Sequence, residues 1–576
     1  MRRLPALLLA ACTVFLPGPS VAAAASVGTA PGTHVERPPT DEFIYFLLPD
    51  RFENGDPAND RGGLKGDRLA TGFDPTHKGF FHGGDLQGLI RRLDYIQSLG
   101  ATAIWLGPIY QNKPVQGPAG DESAGYHGYW ITDFTRVDRH YGTDAEMKAF
   151  VEAAHARGIK VYLDIITNHT ADVITYRECP RIGCPYRSRA DYPGQAYEAY
   201  VPAGEENVKV PAWLNDVRWY NNRGNSTFEG ESSQLGDFVG LDDLNTQDPR
   251  VVQGFIDIYA DWITRYRIDG FRIDTAKHVN PEFWREFVPA MRQRARLLGI
   301  PHFHIFGEVA TDDLDPALLA RWTRIAELPG TLDFGFAAAV RGTLAGTAGT
   351  DLLAKLFEAD VLYAGGEEQA LTLPTFISNH DAGRLAWFIR RARPDAPADE
   401  VLARVRLGHA LLMLLRGVPT VYYGDEQGFV GLGGDQAARQ DMFPSQTASY
   451  NTQPLLGTAA TTADSNFDTR HPLYRQLQQL AAARAGHDAL RRGRQVTRFA
   501  SPQPGLFAAS RFSPTTGKEV LLAFNTTGQP LEANVVVESG SRTFRSVLGE
   551  CASTVRAPGS YRVKLPAFGF LACAAE

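Results

Sequence analysis

The chain has 576 residues, more than one ordinary domain needs and enough for a barrel with accessory domains. Hydrophobic residues make up 44% and charged residues 21%, which is the balance of a globular protein and not of a disordered one. The formal net charge of −7 gives no reason to expect nucleic acid or an anionic membrane as a partner.

Residues 1–25 are typical of a signal peptide. Two arginines precede an apolar stretch over 4–21, and the small residues AAAAS follow at 22–26. The segment LAAC, which ends at Cys12, resembles a bacterial lipoprotein box, but the apolar stretch continues past it, so ordinary cleavage ranks first. We therefore expect a secreted or periplasmic protein. No other segment is apolar and long enough to span a bilayer.

Four cysteines remain after the expected cleavage, in two close pairs. Cys179 and Cys184 form the first pair, and Cys551 and Cys573 form the second. In an exported protein this spacing favours two local disulfides. A zinc site is the alternative, but no histidine accompanies either pair at ligand spacing.

Apolar, strand-like segments alternate with helix-like segments along most of the chain. The strand-like segments are 43–49, 101–108, 160–166, 271–274, 303–309, 332–336, 373–381 and 419–426. Between them, 85–100 carries an apolar stripe at helical spacing, and 143–158 begins with a capping threonine and ends on glycine. Eight such strands predict an α/β fold, the (β/α)8 TIM barrel. An open doubly wound sheet is the alternative, but no glycine-rich dinucleotide turn follows the first strand.

Two segments depart from the barrel pattern. About a hundred residues separate the third and fourth strands, far more than a connecting loop needs. We expect residues 170–240 to form a small inserted domain, between barrel parts at 40–169 and 241–488. Short alternating strands with turn residues between them then predict a C-terminal antiparallel β-sandwich domain over 489–576.

Carboxylates finish three of the predicted strands. Asp274, Glu308 and Asp381 each follow an apolar segment. A single aspartate at a strand end is more often a turn or cap residue. Three of them, however, would converge at the mouth of one barrel, where barrel enzymes place their active sites. Glycoside hydrolysis needs such a set, with one ionised carboxylate and one protonated carboxyl.

Five short motifs resemble those of the α-amylase family, glycoside hydrolase family 13. They are DIITNHT (164–170), LDDLN (241–245), GFRIDTAKHV (270–279), GEV (307–309) and ISNHD (377–381). Their order and strand context match this family over roughly residues 40–480. The resemblance implies a barrel with a domain inserted after its third strand and a β-domain at the C-terminus.

The resemblance also implies catalytic roles. Asp274 would be the nucleophile, Glu308 the acid and base, and Asp381 the stabiliser of an oxocarbenium-like transition state. Arg272 lies on the same strand face as Asp274, and we expect its positive charge to lower the pKa of that carboxyl and keep it ionised. Glu308 must be protonated near neutral pH for the same reaction.

Ten residues are expected to bind substrate by the same resemblance. Tyr129 would be an aromatic platform, and Asp435 and Arg439 would hold sugars on the non-reducing side. The full set is His127, Tyr129, Trp130, His169, Arg272, Lys277, His278, His380, Asp435 and Arg439.

The family resemblance further implies one or two Ca²⁺ ions. The first site would use Asn168, Asp243 and the backbone carbonyl of His278. Oxygen ligands from separate loops suit Ca²⁺, which would join the barrel to the inserted domain. The second would use the crowded loop that contains Asn54, Asp56, Asn59, Asp60, Gly83 and Asp85. A plain polar turn is the alternative for that loop.

Within the family we expect a retaining hydrolase that cleaves internal α-1,4 bonds of starch, glycogen and maltodextrins. Cyclising members carry an aromatic residue four positions before the equivalent of Asp243, where this chain has Val239. A transglycosylase such as a cyclodextrin glucanotransferase, or a member that hydrolyses cyclodextrins or maltooligosaccharides, is the alternative. A non-catalytic glycan-binding protein would have no need of all three carboxylates. The expected partner is an α-glucan, with no stable protein partner and a monomeric state.

Overall fold

A computed structural model describes residues 33–181 and 183–576. The expected signal peptide, residues 1–25, and the alternative anchor at Cys12 lie outside the described residues. Within the described part of the chain, no helix is long and apolar enough to cross a membrane.

Seven parallel strands form the central sheet, in the spatial order β5-β4-β3-β2-β1-β7-β6. They are β1 (Ile44–Leu47), β2 (Ala103–Leu106), β3 (Lys160–Ile165), β4 (Gly270–Ile273), β5 (His304–Gly307), β6 (Pro374–Thr375) and β7 (Val418–Tyr422). The first strand pairs with the last, with Ile44 opposite Thr420. This pairing curls the sheet into the expected barrel.

The eighth position of the barrel differs from the sequence expectation. Residues 332–336 were expected to form a strand, but Thr331 and Asp333 make only single parallel bridges, to Gly307 and Thr375. The Asp333 carboxylate accepts a hydrogen bond from the Phe336 amide at 2.9 Å and caps a helix that begins at Phe334. The strand prediction is therefore wrong, although the two bridges still connect β5 to β6.

Ten helices of eight or more residues accompany the described strands. They are α1 (Leu86–Leu99), α2 (Asp144–Ala156), α3 (Pro249–Tyr266), α4 (Pro281–Leu297), α5 (Pro316–Ile325), α6 (Phe334–Leu344), α7 (Asp351–Glu358), α8 (Leu385–Ala392), α9 (Ala398–Leu414) and α10 (Pro472–Gly486). Shorter α-helices span Pro49–Phe52, Arg68–Thr71, Ser232–Leu235, Gly366–Ala370, Ala448–Asn451 and Asp488–Arg492. Single 3-10 turns span Thr33–Glu36, Pro39–Asp41, Ala212–Asn215, Val217–Trp219, Ala276–His278, Ala359–Leu362, Asp425–Gln427 and Asp435–Ala438.

The alternation in β4 explains its unusual sequence. Phe271 is fully buried, and its ring lies 5.6 Å from the ring of Tyr259 on α3. Arg272 is also fully buried but contacts side chains of the neighbouring strands. Successive residues of a strand point to opposite faces, so the apolar residues pack against the helices while the arginine lies inside the barrel.

Short antiparallel pairs lie in the loops after β2 and β3. Tyr110–Asn112 pairs with Ile131–Val137, and Val115–Gln116 pairs with Ser123–Ala124. After β3, the pairs are His169–Thr170 with Asp242–Asp243 and Thr175–Tyr176 with Ala199–Tyr200. The predicted disulfide between Cys179 and Cys184 is present here, with the Cα atoms 5.9 Å apart.

Seven antiparallel strands follow α10. They are β8 (Arg494–Phe499), β9 (Leu506–Phe512), β10 (Glu519–Asn525), β11 (Leu531–Val536), β12 (Phe544–Leu548), β13 (Ser560–Leu565) and β14 (Phe570–Ala575). One sheet has the order β8-β9-β10-β14-β12, and β11 pairs with β13 in the other. Side chains from both sheets share one apolar core, as in a β-sandwich. The predicted disulfide between Cys551 and Cys573 is also present.

Candidate active site

A single guanidinium contacts three carboxylates at the carboxyl ends of β3, β4 and β5. Arg272 Nη1 donates to Asp164 Oδ1 at 2.7 Å and to Asp274 Oδ1 at 2.8 Å. Its Nη2 forms an ion pair with Glu308 Oε1 at 2.8 Å. Parallel pairing sets this arrangement, because Arg272 lies in register with Asp164 on one side and with Phe306 on the other. The carboxyl groups of Asp274 and Glu308 are thus held by one rigid group.

Asp164 connects this cluster to two aromatic residues. Its Oδ2 accepts hydrogen bonds from Trp105 Nε1 at 3.0 Å and from the Tyr129 hydroxyl at 3.1 Å. The Tyr129 hydroxyl also lies 2.7 Å from His380 Nε2. Hydrogen bonds at both sides of its hydroxyl fix the orientation of the Tyr129 ring at the cleft wall.

Glu308 is oriented by the backbone as well as by Arg272. The amide of Thr275 donates to Glu308 Oε2 at 3.1 Å. Thr275 has φ of 46°, a left-handed conformation that side chains of its type rarely adopt. This turn, directly after Asp274, aims the amide at the carboxyl on the next strand.

Asp381 differs from the other two carboxylates in its exposure. Its side chain is 47% exposed, against 9% for Asp274 and 7% for Glu308. Arg439 Nη2 lies 3.0 Å from Asp381 Oδ1 and 2.7 Å from Asp435 Oδ1. Arg439 therefore joins two of the sequence-predicted sites through one guanidinium.

Asp274, Glu308 and Asp381 open into a cleft of ≈ 990 Å³. Its wall contains most of the predicted residues, namely His127, Tyr129, Trp130, His169, Asp274, Lys277, His278, Glu308, Asp381, Asp435 and Arg439. Arg272 and His380 lie behind this wall and are 0% and 1% exposed. Those two residues contact other side chains of the site and not the open space of the cleft.

Burial controls the protonation of the site. It raises the pKa of Glu308 to about 7, and the charges of Asp274 and Asp381 add to this effect while Arg272 opposes it. Burial also raises the pKa of Asp274 to about 7. We expected Arg272 to bring the pKa of Asp274 below its ordinary value, but the positive charge offsets only part of the cost of burial. Two buried carboxyls this close hold one proton between them more readily than two negative charges.

The histidines of the cleft are neutral at pH 7. Burial lowers the pKa of His169 to about 3, and it lowers the pKa of His127 and His380 well below the ordinary value. Neutral imidazoles can both donate and accept hydrogen bonds, which suits His127 and His169, on the cleft wall, to contacts with sugar hydroxyls.

The residues expected to hold the first Ca²⁺ fit an oxygen-ligated cation. Asn168 is buried and its Oδ1 has no hydrogen-bond partner. Asp243 lies on the strand paired with His169–Thr170, and the Leu244 amide donates to the Asn168 carbonyl at 2.9 Å. Burial raises the pKa of Asp243 well above its ordinary value. An unpartnered amide oxygen beside a buried carboxylate is the donor set that Ca²⁺ prefers.

The loop of the second expected site also fits a cation. Asn54 Oδ1 and Asn59 Oδ1 are buried without a hydrogen-bond partner, and Asn54 Nδ2 donates to Asp60 Oδ1 at 2.8 Å. Gly83 closes the loop with φ of 99°, and a Cβ there would lie 2.6 Å from both Asn54 Nδ2 and Asp60 Oδ1. Asp85 accepts from the Asp56 amide at 2.7 Å and caps α1 through the Gly88 amide at 2.7 Å. The side chains of Asn54 and Asp60 thus approach the Gly83 backbone so closely that a Cβ there would displace them.

Several residues of the site were assigned no role from sequence. Asp164 is a buried carboxylate inside an apolar segment, which is a signal that could have identified it. Phe228 and Phe238 also line the cleft, with ring centroids 5.3 Å apart and the Phe228 side chain largely exposed. They lie in an irregular segment, where no periodicity indicates which side chains face the cleft.

Comparison with protein families gives one match over most of the chain. The model of the α-amylase catalytic domain matches residues 46–493. An α-amylase of Streptomyces lividans is 43% identical over 572 residues, which covers 93% of this chain and 62% of that protein. A cyclomaltodextrin glucanotransferase of Klebsiella oxytoca is 29% identical and is covered over 64% of its length. The chain therefore spans less than two thirds of these curated relatives.

Solved structures give the same architecture. The crystal structure of an Anoxybacillus α-amylase superposes with a TM-score of 0.69 at 28% identity, covering 94% of this chain and 99% of that one. A cyclomaltodextrin glucanotransferase with a three-domain ABC distribution superposes with a TM-score of 0.72 at 25% identity, covering 92% of this chain and 99% of that one.

Proposed function

Because this chain belongs to the α-amylase family, we propose that it is a retaining glycoside hydrolase that cleaves internal α-1,4-glucosidic bonds of starch, glycogen and maltodextrins. The observation that carries the proposal is the contact of one guanidinium, Arg272, with both Asp274 and Glu308. These two carboxyl groups face one cleft and lose their protons over the same pH range. One can therefore be ionised while the other is protonated, which this reaction requires.

The first step forms a covalent intermediate. A carboxylate oxygen of Asp274 attacks the anomeric carbon, and the bond from that carbon to the leaving oxygen breaks. The leaving oxygen takes the proton of Glu308, which becomes a carboxylate. Asp381, the most exposed of the three, would bind hydroxyls of the distorted ring and stabilise its developing positive charge.

The second step releases the product. Glu308, now ionised, takes a proton from water, and the water oxygen attacks the anomeric carbon from the face opposite Asp274. The bond to Asp274 breaks, and both carboxyl groups return to their starting states. Two inversions at one carbon retain its configuration, so the product is initially the α-anomer.

The remaining residues of the cleft would bind the glucan. Tyr129 offers a ring for stacking on the sugar at the cleavage point, and its hydroxyl contacts with Asp164 and His380 hold that ring in place. Neutral His127 and His169 would hydrogen-bond sugar hydroxyls. Trp130, Lys277, His278, Asp435 and Arg439 would bind the chain on either side.

We further propose that two Ca²⁺ ions stabilise the fold. Asn168, Asp243 and the His278 carbonyl would hold one, and the loop from Asn54 to Asp60 with Gly83 and Asp85 would hold the other. The positive charge of bound Ca²⁺ would neutralise buried carboxylates. Ligands from separate loops would bind the same ion, which would hold those loops together. The two disulfides support export, and residues 1–25 would be the signal peptide.

The test is product analysis with soluble starch and added calcium. We expect a rapid fall in viscosity and short linear maltooligosaccharides, with the α-anomer formed first in a time-resolved NMR measurement. The Asp274→Asn variant should fold and bind maltooligosaccharide but lose nearly all turnover. Initial β-anomers, or near-native turnover in that variant, would contradict the mechanism. Cyclic or lengthened products would favour the transglycosylase alternative.

A further inference from the structure

A cluster of two histidines and one aspartate lies at the end of the barrel opposite the cleft. Asp269 directly precedes β4, whose other end leads to Asp274. His155 lies in the last turn of α2, and His34 lies in the 3-10 turn Thr33–Glu36. The cluster therefore connects the first described residues of the chain to the amino end of a barrel strand.

The ligand atoms of this cluster are already close together. His155 Nε2 lies 2.8 Å from Asp269 Oδ2, and His34 Nε2 lies 4.0 Å from Asp269 Oδ1. The two imidazole rings stack with centroids 4.2 Å apart. One ligand atom from each residue can be chosen so that all three lie within 4.8 Å of one another.

Two polar atoms of the cluster are buried and unpartnered. Asp269 is 0% exposed and His34 is 6% exposed, yet Asp269 Oδ1 and His34 Nδ1 have no hydrogen-bond partner. Leaving a buried acceptor of this kind unsatisfied destabilises the folded protein, and the cost is larger for a charged group. A cation bound between the carboxylate and the imidazoles would remove that cost for Asp269.

We propose that His34, His155 and Asp269 bind one transition-metal dication, of which Zn²⁺ fits best. Two imidazole nitrogens and one carboxylate oxygen are a zinc-type donor set, whereas Ca²⁺ is bound by oxygen. Zinc–ligand bonds of about 2.0–2.2 Å in a tetrahedron place the ligand atoms roughly 3.3 Å apart. The three ligand atoms, one from each residue, lie within 4.8 Å of one another, and side-chain rotations would bring them to the tetrahedral spacing.

The surroundings are compatible with a bound dication. The nearby cations Arg37 and Lys160 are both ion-paired with Glu42, at 3.0 and 3.1 Å, which limits their repulsion of the metal. The His155 side chain remains 19% exposed, which leaves a path for the ion from solvent.

The role of this metal is structural. It lies far from the reacting groups and joins three segments that are distant in sequence. The ion would replace the hydrogen bond between His155 and Asp269 and would fasten the N-terminal segment to α2 and β4. Because metal affinity contributes directly to folding stability, the effect is visible in thermal unfolding.

The experiment is a Zn²⁺ titration of the mature protein, freed of metals and then saturated with Ca²⁺. Calorimetry should give one Zn²⁺ per chain, and His34→Ala and His155→Ala should each weaken the affinity at least tenfold. His302→Ala is the matched control, since this partly exposed histidine lies two residues before β5 at the same end of the barrel and should leave binding unchanged. Co²⁺ should give visible absorption bands of a tetrahedral site that both cluster variants abolish.

The outcomes separate the proposal from its alternatives. No stoichiometric Zn²⁺ binding in the wild type would overturn it and leave the cluster as a hydrogen-bonded group. Equal affinity in the wild type and both cluster variants would also overturn it, because the ion would then bind elsewhere in the protein. Asp269→Asn should weaken binding too, and if that variant fails to fold, the two histidine variants still decide the question.

Discussion

Arg272 and Asp164 form a fully buried ion pair behind the wall of the cleft, with Nη1 2.7 Å from Oδ1. Neither residue opens into the cleft, so neither is expected to touch substrate. The pair instead fixes the guanidinium that contacts Asp274 and Glu308. Asp164 is thus a positioning residue, and its charge acts on the reacting carboxyls through Arg272.

We expect Asp164→Asn to lower kcat by about 10- to 100-fold, because a small displacement of the reacting groups is costly. The charge of Asp164 is one cause of the raised pKa of Asp274, so its removal lowers that pKa and moves the acidic limb of kcat/KM to lower pH. The loss of stability should be less than the ~3–5 kcal/mol typical of breaking a buried pair, because two carboxylates remain beside Arg272. Asp94→Asn, at an exposed pair with Arg157, is the control for urea unfolding and pH profiles.

The alkaline limb of kcat/KM is expected near pH 7, because burial raises the pKa of Glu308 to about that value and only the protonated acid is active. Glu308→Gln should lose about 10²–10⁴-fold in activity, and its residual rate should lack this limb. The folded protein holds this proton more tightly than the unfolded chain. The protonated Glu308 therefore contributes fully to the free energy of unfolding below the ordinary pKa of glutamate, and this contribution is lost as the pH rises through about 7. An alkaline limb two pH units higher would assign the acid to another group.

Gly83→Ala should weaken the second Ca²⁺ site, since its Cβ would lie 2.6 Å from both Asn54 Nδ2 and Asp60 Oδ1. Gly120→Ala is the matched control, because it has a similar φ of 91° but no atom within 4 Å of the added Cβ. Alanine at either position introduces similar backbone strain, because both glycines have a positive φ. Only Gly83→Ala should show a smaller rise in Tm on adding Ca²⁺, and equal rises in both variants would argue against this site.

Val239→Tyr should increase transglycosylation several-fold relative to hydrolysis. Val239 lines the cleft and is 67% exposed, so a ring placed there would meet the glucan without disturbing the core. A ring lets a sugar acceptor compete better with water for the covalent intermediate. Chromatography of cyclic and lengthened products measures the change, with Val208→Tyr, outside the cleft, as the control. An unchanged product ratio would mean that other loop residues control acceptor choice.

Local chemistry explains which elements were predictable from sequence. The helices expected at 85–100 and 143–158 occur at Leu86–Leu99 and Asp144–Ala156 because Asp85 and Thr143 cap them. The strand predicted at 332–336 does not form, and helix capping is again the reason. Its apolar alternation is interrupted by Asp333, whose carboxylate caps α6 and commits the next residues to a helix.

The candidate site was predictable only in part. Motif order indicated which residues follow the strands, and most of these do line one cleft. The contacts between Asp164 and Arg272, or between Tyr129 and His380, depend on the register of strands that are distant in sequence. The balance between burial and Arg272 at Asp274 likewise depends on how much water reaches the carboxyl, which a sequence does not report.

Closure of the barrel has a consequence for biosynthesis. Tyr45, on β1, donates to Glu426, just after β7, across 381 residues of sequence. At about 5–20 residues per second, a ribosome needs roughly 20 to 75 s to make that stretch. During this time β1 emerges without its final neighbour and presents an apolar, unpaired edge to the surroundings. A chain expected to be exported thus remains open, and suited to passage through a membrane pore, until its last barrel strand has been made.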